Sequence, residues 1–444
     1  MTRRLLTLIV FLIACASEAA GSETCPKLPK APEIGPAEES MLPKITRRVP
    51  ATRLHILMPQ GLQDTIRIKL TRANCRGACE VNSSVEIRGN GQGIYRGTGF
   101  YLLVKGEHRF PVPSSTVACL MEAFRAADVW SFASSYVVDA PQFEVVTLEI
   151  EIAGRRKVVK DRLGVRIGAP AVLGQLELAV EAAGAQSFMI GDPNTVPLLR
   201  AERFDFHARA GAVLLNAAAN QSPDDVVLAI LAEGAPANQK VAVNGFDDDA
   251  AIIVSARRGK LDLVRALVAA GAFADAPYQM REDALRAAIE DARPSVVAEL
   301  IKDGADLHVD DAGGGYLFDR LVARSLTARS MGDLTFQADR VAVIKLLLSA
   351  GATIPRTLMF DARTPEEVRL FLAAGADLEA RDSEGLTPLL RTSDEDVAIA
   401  LLEAGADRAV QGQFGETLLK EALAKHLPMP RVLKWLRRHP AHPL

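Results

Sequence analysis

With 444 residues, 49% of them hydrophobic and 24% charged, the chain has an ordinary globular composition and is long enough to predict two or more domains rather than one core. A formal net charge of −3 gives no electrostatic footprint for DNA or RNA, which excludes nucleic acid as the expected partner.

Residues 1–20 place Arg3 and Arg4 before an apolar run over 5–14 and then small residues, the layout of a secretory signal peptide. That run is too short to span a bilayer, and no later stretch is long and apolar enough, so the expectation is an exported protein of the cell envelope. Two ways of processing fit. Leu12-Ile13-Ala14-Cys15 resembles a bacterial lipobox, which makes Cys15 a lipidation candidate, and cleavage after Ala19 satisfies the small-residue rule. A Pro-rich, charged stretch over 21–50 has neither strand nor helix periodicity and reads as a flexible linker.

Over 51–185 the pattern becomes period two. Ile66, Ile68 and Leu70 alternate with polar residues, as do Val81, Ser83, Val85 and Ile87. Asn90-Gly91 marks a turn before Ile94 and Tyr95; Val146, Leu148, Ile150 and Ile152 alternate again, and Ala153-Gly154 turns back toward Val158 and Val159. Helical spacing of Val117, Leu120, Met121 and Phe124 predicts a helix over 114–127 with Ser114 or Ser115 as N-cap, and 171–183 reads as a second helix. The expected domain is α+β, an antiparallel sheet with two helices.

The run from Ile66 to Gly97, followed by a helix, a Tyr-containing loop ending at Asp139 and a hairpin, resembles a bacterial domain of unknown function with a Cys-x-Gly-x-Cys-Pro motif ahead of a Gly-x-x-Tyr-x-Gly hairpin. Cys75, Gly77, Cys79, Gly91, Tyr95 and Gly97 carry the likeness, and Glu80 stands where that family prefers proline. The resemblance implies a fold and no activity.

Cys25, Cys75, Cys79 and Cys119 form an even set in an exported chain, so disulfides are their expected fate. The Gly-containing turn between Cys75 and Cys79 suits a bridge, and Cys25 with Cys119 is the second pairing; a redox-active dithiol or half a zinc site are the alternatives. No metal or cofactor motif is complete: Asp247-Asp248-Asp249 lacks calcium-loop spacing, Gly313-Gly314-Gly315 is not followed by Gly-Lys-Ser/Thr, and the seven histidines are scattered. Asp139 and Glu144 are candidate acids near a loop. The reading is no catalytic residue, no metal and no cofactor.

A connector over 186–205 leads to a repeating half, 206–438, before a short tail over 439–444. Gly-Ala after an apolar run recurs at Gly234, Gly271, Gly304, Gly351, Gly375 and Gly405, at intervals of 37, 33, 47, 24 and 30 residues. The best copy has a turn at 247–249, a first helix over 250–258, Gly259, and a second helix over 261–270 with Leu261, Val264, Leu267 and Val268 on one face. Gly385-Leu386-Thr387-Pro388-Leu389 resembles the opening of the ankyrin repeat, with Leu390 in place of its histidine, and the interval clusters near the ankyrin length of about 33 residues. The resemblance implies an all-α ankyrin solenoid of about seven repeats, the first over 213–235, with an insertion near 325–339 and Thr364 and Ser393 capping second helices.

Ankyrin-like stacks bind proteins through the tips of their fingers, which here include Asn244, Phe246, Tyr278, Met280, Asp310, Tyr316, Arg381, Ser383, Gln411 and Phe414. The sequence thus reads as a non-enzymatic envelope scaffold for a protein partner, touching membrane only through lipid on Cys15. The alternative is a thiol-redox or other enzyme acting through Cys75 and Cys79, with the repeats docking its substrate.

Overall fold

A computed structural model describes residues 25–30, 63–74, 80–99, 102–140, 143–241, 249–274, 279–307, 317–318, 334–352, 354–355, 357–413, 415–423 and 428–439. The chain divides into two compact units, one up to Ala251 and one from Ile252 onward.

The first unit is built on a seven-stranded sheet: β1 (Arg67–Asn74), β2 (Glu80–Arg88), β3 (Gln92–Gly97), β4 (Gly106–Pro111), β5 (Ser135–Val137), β6 (Val145–Ile152) and β7 (Arg155–Arg162). Their order is β4-β3-β2-β1-β6-β7-β5. The sheet is mixed, because β5 runs parallel to β7 while the other pairs are antiparallel. The expectation of a purely antiparallel sheet is corrected here. Both β4 and β5 escaped the sequence pattern, since GEHRFP and SYV carry too little alternation to be read as strands. Two-residue turns set the register: Ala153 and Gly154 both have positive φ, the geometry that matches the twist of the flanking strands.

Period-two alternation gives the sheet one apolar face. Ile68 and Leu70 of β1 lie opposite Ile87 and Val85 of β2 and opposite Ile150 and Leu148 of β6, and all six are buried. Helices α1 (Ser114–Ala126) and α2 (Val172–Ala182) supply the covering layer with Val117, Leu120, Met121 and Phe124, and with Leu173, Leu176 and Val180. The N-cap of α1 is Pro113, with no side-chain bond, rather than Ser114 or Ser115; proline supplies the φ of about −55° that the start needs.

The connector is helical. Short helices α3 (Gln186–Met189) and α4 (Thr195–Ala201) follow α2, and Leu103 and Val104 donate to the carbonyls of Met189 and Phe188. Next comes the pair α5 (Arg209–Gln221) and α6 (Asp224–Ala232). Buried Asn216 of α5 donates to the carbonyls of Val241 and Asp249, the two residues of an isolated antiparallel bridge.

The second unit holds α7 (Ala251–Arg257, its first residue the last of the first unit), α8 (Leu261–Ala269), α9 (Gln279–Glu290), α10 (Pro294–Lys302), α11 (Leu334–Ser349), α12 (Pro365–Ala373), α13 (Pro388–Arg391), α14 (Glu395–Glu403), α15 (Leu418–Leu423) and α16 (Pro430–Arg438). Contacts are local: α8 packs on α10, α10 on α11, α11 on α12, α12 on α14 and α14 on α16, while α9, α13 and α15 pack on α10, α14 and α16. Helix α8 buries Leu263, Val264 and Leu267; Leu261 and Val268 are only half-buried, so the apolar stripe lies slightly to one side of the predicted one. Residues 334–339 of the expected insertion belong to α11, which buries Val341, Val343, Ile344 and Leu347 further along; residues 325–333 lie outside the described residues.

The recurring Gly-Ala step is a stop signal. At Gly271, Gly304, Gly351, Gly375 and Gly405 the glycine N–H donates to the carbonyl three residues back and the following alanine N–H to the carbonyl five back. This is the Schellman motif, which needs a left-handed residue at the glycine, and φ there is 81° to 100°. The alanine that follows is buried each time, which selects a small apolar side chain. Thr364 caps α12 by accepting from the N–H of Glu367. The cap of α14 is Asp394 and not Ser393: its carboxylate accepts from the N–H groups of Asp396 and Val397, a stronger acceptor one residue nearer the first turn.

Candidate functional site

Polar groups gather at one end of the sheet, on the face that α2 covers. Alternation carries Arg72 of β1 onto the buried side after Ile68 and Leu70, and Leu173, Leu176 and Val180 bring Glu177 of α2 to the same layer. Arg72 Nε donates to Glu181 Oε1 at 2.5 Å, and its Nη1 lies 3.6 Å from Glu144 Oε2. Asn82 donates to the other oxygen of Glu144 at 2.5 Å, and Asp161 Oδ1 accepts from the N–H of Gly164. Burial disfavours the charge on Arg72, yet Glu181 and Glu144 outweigh it and raise its pKa. For Glu177, burial first and the charge of Asp161 second push the carboxyl up to about 8, against the pull of Arg72. At neutral pH Glu177 is therefore a protonated acid, with Oε1 buried and without a hydrogen-bond partner among the described residues.

Beside this cluster Leu70, Arg72, Ser83, Ser84, Val85, Tyr95, Glu181, Ala185 and Met189 enclose a cavity of about 10 Å³, the room of about one water. Tyr95 is fully buried, stacks on Phe188 at 5.2 Å and donates to the Val104 carbonyl; burial raises its pKa. His108 stacks on the same ring and bonds Glu202 through Nδ1. Such a cluster orients side chains and holds a proton; the space beside it admits water rather than a substrate.

Of the residues singled out from sequence, Cys25 and Cys119 are joined in a disulfide, with Cα atoms 5.3 Å apart, pinning the N-terminal segment to α1. Cys15, Cys75, Cys79, Asn244, Phe246, Tyr278, Asp310, Tyr316 and Phe414 lie outside the described residues. Met280 is not at a tip: it sits in α9 and is 2% exposed, because the helix begins one residue before it and turns it into the core. Ser383 and Gln411 are exposed. Arg381 is exposed too, but Nη1 donates to the carbonyls of Gly385 and Gln411, tying one inter-helix segment to the next. Glu144 joins the Arg72 cluster, whereas Asp139 is exposed and apart from it.

Arg72, Glu177 and Glu181 went unnoticed in the sequence. The available signal was a charge at an inward position of each pattern, Arg72 two residues after Leu70 and Glu177 four after Leu173.

The family model of a domain of unknown function, DUF6438, matches residues 66–184, rather more than a quarter of the chain. No curated protein matches. Among solved structures, the crystal structure of the human ASB11 ankyrin repeat domain is similar at 17% identity and a TM-score of 0.40, over 52% of this chain and 99% of that one. The chain therefore contains a region that matches a domain family of unassigned role, followed by helices with a weak likeness to an ankyrin repeat domain.

Proposed function

We propose that this protein is an exported, non-enzymatic scaffold that binds a protein partner through an ankyrin-type solenoid formed by its repeating half. The observation that carries this reading is the chain of sequence-local helix contacts, closed by the same Gly-Ala stop at Gly271, Gly304, Gly351, Gly375 and Gly405. Helix pairs of this kind cannot bury their apolar faces alone and do so by stacking, which leaves the segments between pairs free for recognition. Ser383 and Gln411 are exposed in two such segments, and Arg381 holds those segments together. Lipid on Cys15 or cleavage after Ala19 then delivers the chain to the envelope.

A photo-cross-linking residue at Ser383 or Gln411 of the full chain tests this directly. A discrete adduct with one envelope protein, absent when the residue is placed at Glu151 on the sheet, is the expected result. Cross-linking to no protein, or equally from both positions, removes the reading. The dithiol alternative has its own measurement: non-reduced protein should show no free thiol, with Cys75 and Cys79 bonded to each other, whereas a readily reduced reactive pair would favour redox chemistry.

A further inference from the structure

The face of the sheet opposite α1 and α2 carries charge of the sign opposite to the chain's. Register places Arg67 and Lys69 of β1, Arg88 of β2, Arg96 of β3, Arg109 of β4, and Arg156, Lys160 and the buried Arg162 of β7 on this face. Among the described residues four carboxylates share it, Glu86, Glu107, Glu149 and Glu151, so that with the buried Arg162 set aside seven cations leave a surplus of three positive charges in a chain whose net charge is −3.

The arrangement is ordered. Glu86 accepts from both Arg67 and Arg88 at 2.8 Å, and Glu107 lies 2.9 Å from Arg96 and 3.3 Å from Arg109, so each carboxylate is shared by two guanidinium groups. Those four arginine side chains remain 44% to 64% exposed. A shared carboxylate fixes each fork while leaving donors free, the geometry that suits phosphate oxygens.

We infer that this sheet face docks on an anionic phospholipid surface, with Arg88, Arg96 and Arg109 taking headgroup phosphates. Adjacent strands are about 4.8 Å apart, so β1 to β4 present their cations across a strip about 15 Å wide that a laterally continuous layer of phosphates can meet at once. The cavity described beside Arg72 is lined chiefly by Leu70, Arg72, Tyr95, Glu181, Ala185 and Met189 and has the room of about one water, so it is not the place where the cations of this face gather. A peptide adding itself to a sheet would use a strand edge, and this is a face. Proximity to a bilayer rests on the proposed export; the charge pattern does not. A basic face also complements lipid on Cys15, since stable membrane attachment generally needs more than one weak signal.

The test is co-sedimentation of the purified, non-acylated chain with vesicles of phosphatidylcholine, alone or mixed with phosphatidylglycerol. Binding is expected only to the anionic vesicles, and should fall steeply as salt rises. The triple variant Arg88→Gln, Arg96→Gln, Arg109→Gln should weaken it about a hundredfold, at about fivefold per arginine. Glu107→Gln, which releases Arg96 and Arg109 from their shared partner, should tighten it about fivefold, and it decides the matter if the triple variant does not fold. Equal binding to neutral vesicles overturns the inference, as does an unchanged affinity in the folded triple variant or in Glu107→Gln. Displacement from vesicles by polyglutamate at matched charge would assign the face to an acidic polypeptide instead.

Discussion

Glu177 shows how one charged residue in a core position makes stability depend on pH. Its carboxyl titrates near 8 in the folded chain, first because it is buried and then because Asp161 is close, against an ordinary 4.5 when unfolded. Between those values the folded state holds a proton that the unfolded state has released, so stability must fall as pH rises through this window and level off above it. One proton corresponds to a slope of up to about 1.4 kcal/mol per pH unit. Urea unfolding of the sheet unit from pH 5 to 8 should show this decline, and Glu177→Gln, which keeps the shape and removes the titration, should flatten it. Parallel slopes in both proteins would mean that the proton resides elsewhere. A different residue-scale economy governs Glu86: burial opposes its charge, but Arg67 and Arg88 donate to it directly and hold its pKa below the ordinary value.

At the scale of elements, helix ends distinguish what a pattern suggests from what geometry selects. Ser393 and Asp394 are both capping types, and only the carboxylate of Asp394 reaches two N–H groups of α14. Asp394→Ala should therefore cost about 1 kcal/mol of stability and Ser393→Ala close to none, measured as shifts in the thermal midpoint. Equal losses would return the cap to Ser393. The junction of α11 and α12 carries more. Arg340 and Glu367 are 1% and 0% exposed and 3.3 Å apart, and Glu367 also accepts from the N–H of Arg363. Burial lowers the pKa of Arg340 and raises that of Glu367, the direction expected for two charges removed from water. Replacing Glu367 with alanine strands a buried guanidinium and should cost about 3–5 kcal/mol, well above the loss of the Asp394 cap.

For the whole molecule, the bond between Cys25 and Cys119 matters most in the first unit. It joins residues 94 apart, and the chain-entropy model assigns closure of a loop of about that size up to about 4.7 kcal/mol. Cys119→Ser should lower the thermal midpoint of the sheet unit under non-reducing conditions, and its difference from the unsubstituted chain should vanish once reductant opens the same bond there. A midpoint that still falls on reduction of the variant would locate the redox-sensitive constraint at Cys75 and Cys79. The bond also places Cys25 on the sheet unit, so only nine residues lie between Cys15 and a fixed point, ten steps of about 36 Å in all at full extension.

By itself the sequence determined the elements whose side chains repeat with a clear period. Period-two runs became β1, β2, β3, β6 and β7, and the Gly-Ala interval marked helix ends because a left-handed stop accepts little besides glycine. Tertiary structure alone decided the rest. Edge strands β4 and β5 take their conformation from a neighbour's backbone, so their own residues announce little. Met280 is core because of where α9 begins, not because of its type. The Arg72 cluster and the arginine face join residues from separate elements, and no period within one segment contains the register that brings Arg67 beside Arg88 or Arg96 beside Glu107. Period is a property of a segment and is written into it; proximity across strands is a property of the closed sheet.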